Sequence, residues 1–294
     1  MAPRVDQKII DLYDTFTHGG MNRRQFLDRL TEIAGSSAAA VALLPLLQND
    51  YAQAAIVPPD DARLAIEAVA YDANGTQVSG YLARLTSKGK RPAVIVIHEN
   101  RGLNPHIQDV TRRIALDGFL AYGVDMLSPL GGTPADEDKG RDMIGTLNPD
   151  ETAKRIAAAV PFLAKHAEST GSVGAVGFCW GGGMVNRLAV LAPADFKAGV
   201  AYYGAQPPAD QVASIKAPLL LQYGGLDQRI NAGIPAYEAA LKAQGKRFEI
   251  HVYPNANHAF NNDTGDRYDK AAADLAWSRT IAFFKDNLGA PPKA

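Results

Sequence analysis

Hydrophobic residues along this chain fall into short blocks separated by amphipathic stretches of helical length. The block Pro92-Ala93-Val94-Ile95-Val96-Ile97 is almost unbroken, the pattern of a strand buried on both faces of a parallel sheet. Before it, β-rich runs at 64–71 and 77–85 flank Asp72-Ala73-Asn74-Gly75, and Asn-Gly between two such runs predicts a hairpin. After it, predicted strands at 120–124, 173–178, 198–203, 218–223 and 248–253 alternate with predicted helices near 105–117, 151–167, 184–191, 232–244 and 269–287. A long loop is expected at 126–149. Such alternation implies an α/β fold, a mostly parallel doubly wound sheet with helices on both faces. Ligands in such sheets bind beyond the carboxyl ends of the strands, which directs attention to 99–104, 126–149, the turn after 178, 224–231 and 254–263.

The first 60 residues follow another pattern, and the chain divides into an N-terminal segment, 1–60, and a main domain, 61–290. A polar, helix-compatible stretch at 6–17 is broken by His18-Gly19-Gly20. Arg23-Arg24 then precede an apolar, Ala-rich run at 34–47 and the small-x-small site Ala52-Gln53-Ala54. These features resemble a twin-arginine export signal, which implies a periplasmic protein. The alternative is a retained helical extension packed on the main domain of a cytoplasmic protein. The apolar run is too short for an integral membrane span.

Composition narrows the chemistry. With 294 residues, 30 basic and 31 acidic side chains and a net charge of -1, the chain has a large core and no electrostatic signature of a nucleic-acid partner. One cysteine excludes a disulfide framework within the chain and any zinc site built from several thiolates. No metal or cofactor is expected.

That cysteine stands in Gly177-Phe178-Cys179-Trp180-Gly181-Gly182-Gly183. An apolar strand precedes it and a helix follows, the context of a nucleophile elbow. Its glycines serve a strained turn in which the chain passes too close for Cβ atoms. The following helix N-terminus favours thiolate at Cys179. A thiolate nucleophile calls for a base and a group that orients the base. Asp227 follows an apolar strand and Gly224-Gly225, and His258 follows the last strand within Pro254-Asn255-Ala256-Asn257-His258-Ala259-Phe260. The order nucleophile, acid, histidine is that of an α/β-hydrolase. His98, at the end of a central strand, is the competitor for the base; His251, His166 and His18 are placed in a strand, on a helix and in the N-terminal segment.

Together, Gly177-Phe178-Cys179-Trp180-Gly181-Gly182, the strand end Val96-Ile97-His98-Glu99-Asn100-Arg101-Gly102-Leu103-Asn104, Leu226-Asp227 and Asn257-His258-Ala259-Phe260 resemble the dienelactone hydrolase (carboxymethylenebutenolidase) family, over about 64–288. The resemblance implies the α/β-hydrolase fold and a Cys179-His258-Asp227 triad. It implies that Glu99 holds the resting thiol, and that the backbone N–H groups of Trp180 and Asn100 form the oxyanion hole. A carboxylate beside a thiol disfavours thiolate, which fits such a gate; a strand-end Glu99 paired with Arg101 is the plainer role. Family members that act on the chlorocatechol-pathway lactone place an arginine four residues after the histidine. Here that position is Asn262, so Arg101 or Arg229 is left as the candidate anion contact.

The expected function is cofactor-independent hydrolysis of a small-molecule ester or lactone. Cys179 attacks, His258 protonates the leaving alkoxide, and water deacylates the enzyme with His258 as base and Asp227 holding the imidazole. The alternatives are a catalytically weak ligand-binding or thiol redox-sensing member of the fold, and an acyl transferase.

Overall fold

The computed structural model describes residues 5–50 and 56–291; the small-x-small site at 52–54 therefore lies outside the described residues. Its centre is an eight-stranded sheet in the order β1-β2-β4-β3-β5-β6-β7-β8. Strands β1 (Leu64–Ala73) and β2 (Thr76–Leu85) form the expected hairpin, in register from Leu64 opposite Leu85 to Ala73 opposite Thr76. Asn74 and Gly75 turn the chain at φ 56° and 86°, the left-handed pair that a two-residue hairpin needs. Strand β2 also runs antiparallel to β4 (Leu120–Val124). From β4 onward every neighbouring pair is parallel, through β3 (Arg91–Ile97), β5 (Ser169–Phe178), β6 (Phe196–Tyr202), β7 (Leu219–Gly224) and β8 (Phe248–Tyr253).

Every residue of β3 and β4 is buried, as the unbroken apolar block requires of a strand covered on both faces. On one face, Ile95, Ile97 and Leu221 pack with Ile156 and Val160 of α6 (Pro149–Ala164), Leu188 of α7 (Trp180–Leu191) and Tyr237 of α9 (Ile234–Ala243). On the other, Val94, Val96 and Val200 meet Ile107 and Val110 of α4 (Pro105–Leu116) and Ala276 and Phe284 of α10 (Lys270–Leu288). Each such aliphatic or aromatic side chain contributes on the order of 1.5–3 kcal/mol on burial.

Helix α1 (Gln7–Thr17) ends at His18, α2 (Arg23–Ala34) opens on an Asn22–Gln25 capping box, and α3 (Ser37–Leu47) follows Gly35 at φ 78°. These three helices share a small apolar core of their own, including Leu12, Phe16, Phe26 and Leu30. No single described helix is long and apolar enough to cross a membrane; α2 and α3 reach that length only together and are bent by 111°. Arg23 of the arginine pair forms an ion pair with Asp138 at 2.6 Å.

The predicted loop at 126–149 contains the helix α5 (Glu137–Gly145). Asp136 caps it by accepting from the Lys139 N–H at 2.9 Å, and Glu137 and Asp138 lie in its first turn, favourable positions for negative charge.

Candidate active site

Strand β5 delivers Cys179 to the start of α7 with φ 56° and ψ -115°. A Cβ added at Gly177 would collide with the Gly181 carbonyl, and one at Gly181 with the carbonyl of Ile97. The glycines are thus required by close approach of β5, α7 and the end of β3, which is the packing that holds the cysteine in its strained backbone state.

The loops after β7 and β8 bring an acid and a base together. Asp227 Oδ2 lies 2.6 Å from His258 Nδ1, with both side chains buried. Its other oxygen accepts from the Ile230 N–H at 3.1 Å, capping the short helix α8 (Gln228–Asn231). One carboxylate therefore serves both as helix cap and as the imidazole's partner. Burial raises the Asp227 pKa, but the hydrogen bond and charge of His258 outweigh it and the net shift is downward. With Nδ1 occupied, His258 presents Nε2, which is buried and has no hydrogen-bond partner among the described residues.

The group in contact with sulfur is one that the sequence reading set aside. His18, at the C-terminal end of α1, places Nε2 3.1 Å from Cys179 Sγ. Its Nδ1 lies 2.7 Å from the Asp14 carbonyl oxygen and 3.2 Å from Asp14 Oδ1. The two imidazoles meet edge to face, with centroids 4.7 Å apart. Burial opposes protonation of His18, yet the sulfur and the Asp14 hydrogen bond more than compensate, and its pKa is raised. Asp14 is itself held below the usual carboxylate range against burial by His258, His18 and Arg229. The signal for His18 was the i, i+4 spacing of Asp14 and His18, which puts both on one helical face.

The remaining predicted residues surround this centre. Glu99 is buried; its Oε2 accepts from Asn262 Nδ2 at 2.9 Å, while Oε1 has no hydrogen-bond partner among the described residues. Glu99 lines a small recess together with Cys179, His258, Arg101 and Arg267. Arg101 pairs with Glu137 at 2.7 Å, and Arg229 with Asp14 at 3.1 Å. Trp180 opens α7, and the Asn100 side chain donates to the Thr17 carbonyl at 2.9 Å. His98 is engaged elsewhere: Nδ1 is 2.6 Å from the Glu99 carbonyl, Nε2 accepts from the Met126 N–H at 3.3 Å, and the ring stacks on Trp180. Burial lowers its pKa.

A cavity of about 770 Å³ opens beside the sulfur. Trp180, Met184, Ile144 and Leu147 supply apolar wall, Arg187 and Arg229, paired with Asp150 and Asp14, lie on its rim, and Thr17 to Gly19 close one side. His18, Cys179 and His258 offer donor atoms within 4.8 Å of one another, a possible metal-ligand set, as do Asp14, Asp227 and His258. The 3.1 Å contact of His18 with sulfur is shorter than the edge of about 3.6 Å between N and S ligands of a tetrahedral zinc. This spacing fits a shared proton better than an ion.

A strained cysteine on a strand–turn–helix, with an Asp–His pair on later loops of an eight-stranded sheet, defines an α/β-hydrolase. The dienelactone hydrolase family model matches residues 78–288, and the chain belongs to that family, whose members hydrolyse esters or lactones. A second model, YqhI-like, matches residues 2–35. A protein from Saccharolobus solfataricus that carries the name carboxymethylenebutenolidase is 30% identical over 73% of this chain and 96% of its own length. A Bradyrhizobium protein named as a 2-oxo-3-(5-oxofuran-2-ylidene)propanoate lactonase is 32% identical over 76% of this chain and 98% of its own. Among solved structures, a dienelactone hydrolase from Klebsiella pneumoniae aligns with TM-score 0.68 and 28% identity, covering 75% of this chain and 98% of that one.

Proposed function

We propose that this hydrolase cleaves a small ester or lactone through an acyl-enzyme on Cys179, with His258 and Asp227 completing the triad. The reading rests on one observation above the others: the buried, unpartnered Nε2 of His258, whose ring is anchored by Asp227 at 2.6 Å beside the strained cysteine. In the proposed course, Cys179 thiolate attacks the carbonyl carbon, and the backbone N–H groups of Trp180 and Asn100 stabilise the oxyanion. Two such donors supply several kcal/mol of barrier reduction. The alkoxide departs with a proton from a neighbouring imidazolium. Water then attacks the thioester as His258 takes its proton, with Asp227 holding the ring.

The apolar wall and arginine-bearing rim of the cavity suit a compact substrate with an acidic substituent, and the names of the relatives point to lactones of that kind. Cys179→Ala is expected to lower turnover of a p-nitrophenyl ester by roughly 10³-fold or more, as removal of a covalent nucleophile does. His258→Gln should leave an acyl-enzyme burst without steady turnover. Retention of most activity by Cys179→Ala ends this reading.

A further inference from the structure

We propose that the N-terminal extension supplies a second acid–base pair to the active site, His18 backed by Asp14, and that His18 is the group that takes the Cys179 proton, because its Nε2 lies 3.1 Å from Sγ. The proposal deepens the hydrolase reading and rests on it for the role of Cys179 as nucleophile.

Geometry assigns the protons. Nδ1 of His18 faces the Asp14 carbonyl at 2.7 Å, the Asp14 carboxylate at 3.2 Å and the Thr17 hydroxyl at 3.3 Å; the two nearer Asp14 oxygens can only accept, so that nitrogen carries a hydrogen in either charge state. Nε2 is the variable position, and its neighbour at hydrogen-bond distance among the described residues is the sulfur. His258 has the matching arrangement on the opposite side, Nδ1 on Asp227 and Nε2 without a partner. Two carboxylate-anchored imidazoles thus converge on one thiol.

The helix that carries His18 is held against the site by polar contacts of its own. Gln7 donates to Asn257 Oδ1 at 2.6 Å, beside His258, and Asn100 donates to the carbonyl of Thr17. Arg229 and Arg267 approach Asp14 from α8 and from the loop before α10, at 3.1 and 3.7 Å. The charged groups that face His18 are therefore the sulfur, Asp14 with its two arginines, His258 with Asp227 behind it, and Glu99 with Arg101 across the small recess. Of these, the sulfur and Asp14 favour imidazolium, and His258 opposes it.

The steps balance. The S–H proton passes to His18 Nε2, leaving thiolate beside imidazolium. Thiolate forms the C–S bond, the carbonyl pair moves to oxygen, and on collapse the C–O bond breaks. The departing alkoxide takes the proton from His18, which returns to neutral. In the second half, His258 Nε2 accepts a proton from water as the hydroxyl oxygen bonds to the thioester carbon. The C–S bond breaks, and sulfur recovers that proton from His258 as the carboxylic acid leaves. Each imidazole serves one half-reaction.

The test reads the sulfur directly, since Cys179 is the only cysteine in the chain. Iodoacetamide alkylation of the full-length protein, in EDTA, is timed at pH 6 and pH 9 for wild type, His18→Gln, Asp14→Asn and His258→Gln, with folding verified by thermal melts. In the wild type the pH 6 rate stays within a few-fold of the pH 9 rate, because the thiolate is paired with imidazolium. His18→Gln lowers the pH 6 to pH 9 ratio by about tenfold or more, toward that of an ordinary thiol. Opening of the site raises both rates together and leaves the ratio untouched. Asp14→Asn, which keeps the side-chain volume, lowers the ratio by a smaller factor, and His258→Gln leaves it within about twofold. A wild-type ratio in His18→Gln and Asp14→Asn, or a collapse confined to His258→Gln, overturns the proposal. If no ester or lactone is turned over but His18→Gln still lowers the ratio, the hydrolase mechanism falls and the His18–Cys179 pair stands; turnover with an unaffected ratio has the opposite meaning.

Discussion

Three of the non-glycine residues with positive φ among those described lie at the site: Cys179 at 56°, Tyr203 at 39° and Ala259, next to His258, at 63°. Each such residue costs on the order of 1–3 kcal/mol, and the strain persists because close packing around β5, β6 and the β8 loop leaves no relaxed alternative. Beside these, Glu99 has one oxygen on Asn262 and one without a hydrogen-bond partner, in the recess it shares with Cys179. A negative charge there opposes a second one on sulfur. Glu99→Gln removes that charge and keeps an oxygen for Asn262. Alkylation of Cys179 at pH 5, below the plateau of the wild-type profile, is expected to accelerate by up to roughly fivefold, the scale of one carboxylate in a partly screened site. An unchanged rate would remove Glu99 from the electrostatics of the thiol. The placement of Cys179, Asp227, His258 and Glu99 just beyond strand ends was legible in the sequence, because the strand before each has a strong apolar pattern. Asn262 was read as a missing arginine, whereas its contact with Glu99 depends on a fold of the 258–264 loop that no periodicity encodes.

At the scale of elements, α5 and the first turn of α7 carried the weakest sequence signals, and both border the site. Helix α5 is nine residues long and includes Gly140 and Gly145; glycines and neighbouring Gly131-Gly132 suppress any propensity argument, leaving only its cap and acidic first turn as clues. The start of α7 at Trp180 was hidden by the three glycines that follow, residues present for close approach rather than for helix formation. Helix α1 reads clearly as a helix, but its docking partner is 161 residues away at Cys179, and sequence distance of that kind leaves no local trace. Its docking should depend on pH. His18 has a raised pKa in the folded state, so its contribution is fully present below the unfolded value of about 6.5 and is lost as pH rises through the folded value. Asp14 is shifted downward, so its contribution is present above about 3.8 and lost only in stronger acid. The melting-temperature difference between wild type and His18→Gln should accordingly be larger at pH 6 than at pH 9. An equal or inverted difference would mean that the charge of His18 does not hold the helix.

For the whole molecule, the division between the sheet domain and the N-terminal helices is one of chemistry as much as of position. The helices enclose an apolar cluster of their own, and their contacts with the domain include the polar bridges Gln7 to Asn257, Asn100 to Thr17, Arg101 to Tyr13, Arg229 and Arg267 to Asp14, and Arg23 to Asp138. The segment from Val57 onward belongs to the domain instead, since the Val57 N–H donates to Asp109 at 2.8 Å and its carbonyl accepts from Arg112 at 2.7 Å. The Saccharolobus, Bradyrhizobium and Klebsiella proteins are matched over nearly their full lengths by about three quarters of this chain. Removing residues 1–50 should therefore leave a cooperative thermal transition, because two continuous apolar faces of the sheet stay covered. Ester turnover should nevertheless fall by roughly a hundredfold or more, the usual worth of one positioned acid–base group, as Cys179 loses His18 and the cavity loses the wall formed by Thr17 to Gly19. Calorimetry and p-nitrophenyl ester kinetics on the same truncated sample separate the two effects. A truncated protein that melts without cooperativity would place the extension within the folding unit; one that melts cooperatively and retains full turnover would reduce the extension to a passenger on the hydrolase.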